Sequence, residues 1–319
     1  MPASIVRGEF IATAPPTPSA HASTIVETHD GFLVSWFGGT REGAPDVGIW
    51  TSRDAGGRGA WSTPVEVVSS RQPDGTRVPC YNPVLFHSAD GVLHLFYKVG
   101  PHPSRWWGMH MSSTDDGLTW SAPQRLPDGT LGPIKNHPVV LRNGTIVAGS
   151  STESTDAISA WHVHFEISRD NARTWTRVDP PPSEIQAIQP SILTYADGRL
   201  QAVGRTRSTR VFDTWSSDGG STWSPLALTS LPNPNSGIDA VTLRDGRQLI
   251  VYNPSVTSRT PLVIAISDDG RVWHPVLELE AEPGEYSYPA VIQSRDGLVH
   301  VTYTWRRERI RHVVVQLHD

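Results

Sequence analysis

At 319 residues and a formal net charge of -5, the chain has no basic footprint for nucleic acid and no apolar run long enough to span a membrane. Its 27 Gly, 27 Pro and 12 Trp suit a turn-rich β architecture better than a helical one. The single cysteine, Cys80, excludes an internal disulfide, and the opening residues lack the cationic start and apolar stretch of a signal peptide, so a cytoplasmic protein is expected.

In chain order, the segment from Ser4 to Thr13, with Ile5, Val6, Phe10 and Ile11, reads as a strand without a neighbour to pair with. From there a unit repeats. Short turns end in Gly31, Gly91, Gly144, Gly198, Gly246 and Gly297, and each lies between two apolar runs, which is a hairpin signature. A second turn follows in most units, seen most completely as Ser216-x-Asp218-x-Gly220-x-Thr222-Trp223. Hydroxyl and carboxylate there accept backbone N–H bonds, the glycine takes a positive φ, and the tryptophan turns back as an anchor. Copies run from Ser113 to Trp120 and from Ser168 to Trp175, with looser ones from Ser52 to Trp61 and from Ser267 to Trp273. A period of roughly 50 residues belongs to propellers.

Each unit therefore reads strand, turn, strand, variable loop, strand, Asp-turn, strand. After Gly297 there is room for only two more strands, Leu298 to Thr304 and Ile310 to Gln316. The spare N-terminal strand must complete that sheet. The expectation is an all-β, six-bladed propeller of four-stranded blades, one domain over residues 1–319, with the ring closed by pairing of the two chain ends.

Function is expected on the face opposite the turns, where loops vary over a rigid scaffold. Aligning the six first strands on their small or proline residue gives one polar rim residue per blade: His21, Asn82, His137, Gln189, Asp239 and Tyr288. The loops between second and third strands add Arg41, Glu42 and Asp46, then Lys98, His102 and Arg105, then Glu153 and Asp156, then Arg205 and Arg207, then Arg259, then Arg306 and Arg307. An excess of guanidinium groups over one mouth suits an anionic ligand such as a carboxylate. No Gly-rich phosphate loop opens a helix, so no nucleotide or redox cofactor is expected.

In its Asp-turns and their period the chain resembles the sialidase superfamily of Asp-box (BNR repeat) propellers over nearly its whole length. The resemblance implies that Asp46, in FGGTREGAPDVGIW, is a general acid/base and that Tyr288, in EYSYPAVIQSRDG, is the nucleophile. It implies further that Arg205 and Arg259 are two of the three arginines that hold the substrate carboxylate. Two positions depart from the pattern: His21 stands where the first arginine is expected and Gln189 where the glutamate that activates the tyrosine is expected. A neutral amide cannot take the tyrosine's proton; Glu285, Asp239 or His21 is then left to serve as base. Shielding of Asp46 by Trp36 and Phe37 would raise its pKa toward that of an acid catalyst.

Three functions remain open on the sequence. One is an exo-acting hydrolase of a terminal acidic sugar, with Arg41, His137, Asp239 and Asn82 as further substrate contacts. The second is a lyase that eliminates across a uronate with His21, His137, Tyr288 and Arg259. The third is a carbohydrate-binding propeller without chemistry. Lesser features are Arg105-Trp106-Trp107, a candidate sugar platform, and the pair His162 and His164 on one face of a strand.

Overall fold

A computed structural model of the protein describes residues 3–72, 74–156 and 160–318. The strands form six four-stranded antiparallel sheets, five of them built from four consecutive strands. In the sixth, the order from the inside outward is Tyr286–Gln293, Val299–Trp305, Arg309–Leu317 and then Ala3–Phe10. Ser4 lies opposite Gln316 and Gly8 opposite Val313, and the Ile11 N–H extends the pairing to the Ile310 carbonyl at 3.0 Å. The two chain ends thus close the ring as expected. Among the described residues the only helix is a single 3-10 turn, Pro103–Arg105. Among the described residues no helix is long and apolar enough to cross a membrane.

Most inner strands are buried on both faces, which explains their small and apolar composition; every residue of Ala187–Thr194 except the last is buried, whereas the short Val139–Val140 strand of blade 3 is not. Apolar side chains fill the seams between neighbouring sheets, as where Leu193 and Val203 of blade 4 meet Ile250 and Val263 of blade 5.

The Asp-turns fasten these seams. In blade 2 the Asp115 carboxylate accepts the Thr119 N–H at 2.8 Å and the Thr119 hydroxyl at 2.6 Å, while the Ser113 hydroxyl accepts the Gly117 N–H at 2.8 Å. Asp170 and Asp218 repeat this arrangement with Thr174 and Thr222. In the expanded first copy, Asp54 accepts the N–H groups of Arg58, Gly59 and Ala60. Ala172, where a glycine is expected, takes the left-handed φ of 65° that the turn demands.

Each turn's tryptophan then reaches back to the preceding blade. Trp223 stacks on Phe165 at 3.7 Å, Trp175 meets Phe96 edge-on at 5.6 Å, and Trp61 meets His312 edge-on at 5.3 Å across the ring closure. Trp223→Ala is expected to lower unfolding free energy by about 3–5 kcal/mol, read by denaturant titration. A change below about 1 kcal/mol would mean that these anchors do not hold the seams.

Candidate active site

The tops of the inner strands are irregular where a site would need them to be. The register with the second strand jumps between His21 and Thr24, Tyr81 and Val84, Ile188 and Ser191, and Ser287 and Ala290. Each bulge holds a residue at positive φ: Ala22, Asn82, Gln189 and Tyr288. All four stand nine residues before their turn glycine (31, 91, 198 and 297). The same count back from Gly144 and Gly246 gives Lys135 and Gly237.

This corrects the alignment on small and proline residues, which took His21, His137 and Asp239 as the equivalents of Tyr288. The inner strands of blades 3 and 5 begin only at Val139 and Asp239, so their proline or alanine does not mark the bulge. In blade 1 the small pair Ala22-Ser23 allowed a slip of one residue.

A bulky side chain at φ 52° is strained, and Tyr288 is held there by its surroundings. Its ring lies 5.3 Å from the Arg205 guanidinium, 6.0 Å from that of Arg259 and 5.7 Å from the Lys135 ammonium. The His21 ring packs on it with centroids 4.2 Å apart. The Arg205 guanidinium also lies over the Trp161 ring, 4.9 Å from its centroid. A Cβ at Gly237 would sit 3.2 Å from both Lys135 and Tyr288, so the glycine leaves room for both side chains.

Burial, followed by the charges of Arg307, Arg259, Arg205 and Lys135, holds His21 well below the ordinary imidazole pKa. It is therefore neutral at pH 7. Its Nδ1 is hydrogen-bonded to the Thr304 hydroxyl at 2.8 Å, and its buried Nε2 has no partner among the described residues. Gln189 Oε1, Arg205 Nε and Ser236 Oγ are likewise buried without a partner. Orphaned polar atoms cost about 1–3 kcal/mol each. Two of these four residues, His21 and Arg205, lie against the strained tyrosine's ring, where a polar ligand would satisfy them.

Two of the mouth's guanidinium groups share one carboxylate. Arg259 donates to Glu285 at 2.8 Å, and Arg307 donates to the same carboxylate oxygen at 2.6 Å and also to Glu42. Burial raises the Glu285 pKa, but Arg307 and Arg259 outweigh it and hold the group below its usual range. Glu285 is thus committed to two guanidinium groups. Asp239 is committed too, accepting from the Ser191 hydroxyl at 2.8 Å and the Val291 N–H at 2.9 Å, which ties blades 4, 5 and 6. Neither serves as a base for Tyr288, whose hydroxyl meets no carboxylate among the described residues. Of the groups considered for that role, His21 is the one in contact with the ring.

Other expected residues divide between the site and the scaffold. Asp46 is exposed, and Trp36 and Phe37 lie in the core instead of shielding it. Its carboxylate accepts the Thr40 hydroxyl at 2.6 Å and the Thr40 N–H at 3.0 Å, and these bonds lower its pKa where shielding was expected to raise it. Asn82 is buried at φ 41°. His137 approaches the Thr24 hydroxyl at 3.3 Å, across the channel in blade 1. Gln189 accepts from Asn136 through its backbone carbonyl at 3.1 Å. Arg41 is exposed on the same loop as Glu42.

Lys98 is not at the mouth; it is fully buried and donates to the Pro133 carbonyl. Trp106 packs on Tyr81 at 5.5 Å and Trp107 under Arg125 at 5.1 Å, so the pair is no open platform. His164 is paired with Glu166 at 3.1 Å. Missed altogether were Lys135, Trp161 and Ser236. The constant count of nine back from each turn glycine would have found Lys135.

The family described as BNR repeat-like domain matches residues 30–301. No curated protein matches the chain. Among solved structures, a protein of unknown function from Dyadobacter fermentans is 17% identical with a TM-score of 0.84, over 99% of each chain. The Hadza microbial sialidase Hz136 is 18% identical with a TM-score of 0.78, over 96% of this chain and 68% of that one. The leech intramolecular trans-sialidase, solved with 2,7-anhydro-Neu5Ac, is 14% identical with a TM-score of 0.75, over 98% and 70%. At these identities the likeness is one of fold.

Proposed function

We infer, for a chain that belongs to the BNR repeat-like family, that it is a sialidase-type glycoside hydrolase removing a terminal acidic sugar from a glycan. The observation that carries this reading is the surround of Tyr288: Arg205 and Arg259 over its ring, with the neutral His21 packed against it. A 2-keto sugar acid bears its carboxylate on the anomeric carbon, where a carboxylate nucleophile is repelled and a tyrosine is not. Arg205 and Arg259 hold that carboxylate. The Tyr288 oxygen bonds to the anomeric carbon as the bond to the leaving oxygen breaks, and its proton passes to His21 Nε2, which has no other partner. Asp46 gives the leaving oxygen its proton. Thr40 keeps that carboxyl ionised in the free protein, so it delivers a proton at acid pH or once a glycan covers it. Water then attacks the same carbon, Asp46 takes the water's proton, and His21 returns its own to Tyr288.

One observation favours a second reading, β-elimination across a uronate. Asp46 is exposed and ionised, and elimination has no need of it: neutral His21 takes the proton beside the carboxylate while Tyr288 protonates the leaving oxygen. Product masses from a panel of acidic oligosaccharides separate the two. Fragments summing to substrate plus one water are expected. Fragments summing to substrate alone, one of them unsaturated, would replace hydrolysis with elimination, and no fragments at all would leave a binding propeller.

A further inference from the structure

We propose that Lys135 is a positioning residue for Tyr288, a blade 3 ammonium that spans the channel and ties down the blade 6 bulge on which the tyrosine stands. The proposal rests on Tyr288 being the reacting group.

A lysine ammonium has three donors. Those of Lys135 all have an acceptor: Asn136 Oδ1 at 2.6 Å, the Ile238 carbonyl at 2.9 Å and the Pro289 carbonyl at 2.6 Å. The residue is 3% exposed. With no donor left for a substrate, it works on the protein. Its targets are telling, because the bulge between Ser287 and Ala290 takes the Pro289 carbonyl out of the sheet ladder, one residue past the strained Tyr288. An unpaired buried carbonyl there would cost about 1–3 kcal/mol, and Lys135 satisfies it. Ile238 follows Gly237, the blade 5 residue against which both Lys135 and Tyr288 pack, a Cβ there coming within 3.2 Å of each. Blades 3, 5 and 6 therefore meet at three equivalent positions, and the cation joins them.

Around the ammonium lie the Asp239 carboxylate, the Arg205 guanidinium, the His137 and His21 imidazoles and the Tyr288 ring. Burial, opposed by Asp239 and aided by Arg205, brings Lys135 down to about 8. The brace is charged at pH 7, and it slackens as the proton leaves above pH 8.

The test uses the full chain and Lys135→Met, a variant of similar length without donors. Hydrogen exchange of the peptide 286–293 is expected to quicken at least tenfold in the variant, while the equivalent blade 4 peptide 187–194 is unchanged. On a glycan the protein cleaves, kcat is expected to fall about 10²-fold with KM within threefold, and the wild-type decline in kcat near pH 8 is expected to disappear. Equal exchange in both proteins, or a loss confined to KM, would overturn the proposal. If the variant does not fold, the wild type decides: exchange of 286–293, corrected for the intrinsic rate, must rise between pH 7 and 9 relative to 187–194, and a flat ratio overturns it. Absence of turnover on every acidic glycan would remove the reading of Tyr288, with exchange still deciding the brace.

Discussion

Tyr288→Phe is expected to lower kcat on a cleaved acidic glycan by roughly 10³-fold or more, with a small change in KM. The substitution removes one oxygen and leaves the ring, so the packing of His21, Lys135 and Gly237 against it is kept. The loss therefore reports chemistry. His21→Ala is expected to cost about 10²–10⁴-fold, the range of a single general base. Hydrolysis carries a further signature that elimination lacks, a sugar joined to the tyrosine oxygen. With a fluorinated acidic sugar that forms this intermediate faster than water resolves it, the peptide containing Tyr288 gains the mass of the sugar. An adduct on any other residue, or full activity in Tyr288→Phe, would remove the tyrosine as nucleophile.

The architecture was legible because it is written in repeats. A Ser, an Asp and a Thr at fixed spacing can satisfy one turn only, and the tryptophan after them needs a neighbouring sheet to pack on; the contact of Trp223 with Phe165 is what that pattern required. Ring closure followed from arithmetic, since the last unit lacked a strand and the N-terminus had one to spare. The neighbourhood of Tyr288 and Arg205 was within reach of the sequence because each lies a fixed count from a turn glycine. His21, His137 and Asp239 were placed one or two residues off that count because proline and small residues were used as the ruler. Lys135 stayed hidden because a lysine in a loop-like stretch, GPIKNHP, reads as solvated; only the fold brings the carbonyls of Ile238 and Pro289 to it. Lys98 failed in the opposite sense: loop position assigned it to the mouth, and burial depth, which no local pattern encodes, sends it inside. For Asp46 the same blindness to depth concerned only its surroundings, since the shielding expected from Trp36 and Phe37 is absent.

Acid is expected to destabilise this propeller through histidines packed inside its blades, well above the pH at which carboxylates matter. In blade 2, His94 Nδ1 meets His110 Nε2 at 2.9 Å, with Phe86 stacked on the first ring and Phe96 on the second. Blade 6 repeats the pair between its second and third strands, with His300 Nδ1 at 3.0 Å from His312 Nε2 and Phe32 against His300. Burial pushes His94 and His110 down to about 4 and His300 to about 3. In the unfolded chain the same groups titrate near 6.5. Between those values the unfolded state binds protons that the folded state refuses, so stability falls as pH falls. Three such groups give a loss on the order of 5 kcal/mol between pH 6.5 and 5. The turn aspartates do not interfere in that window: hydrogen bonds from Ser113 and Thr119 lower Asp115, and bonds from Thr174 lower Asp170, each to about 2, so their contribution is lost only below the ordinary carboxylate range. Denaturant unfolding at pH 7.5, 6.5 and 5.0 reads the effect directly. His110→Phe, which removes one of the three titrating groups and can stack where the imidazole does, is expected to flatten the slope by about a third. Stability that is level from pH 7.5 to 5.0 would show that these rings accept protons in the folded protein as readily as in the unfolded chain.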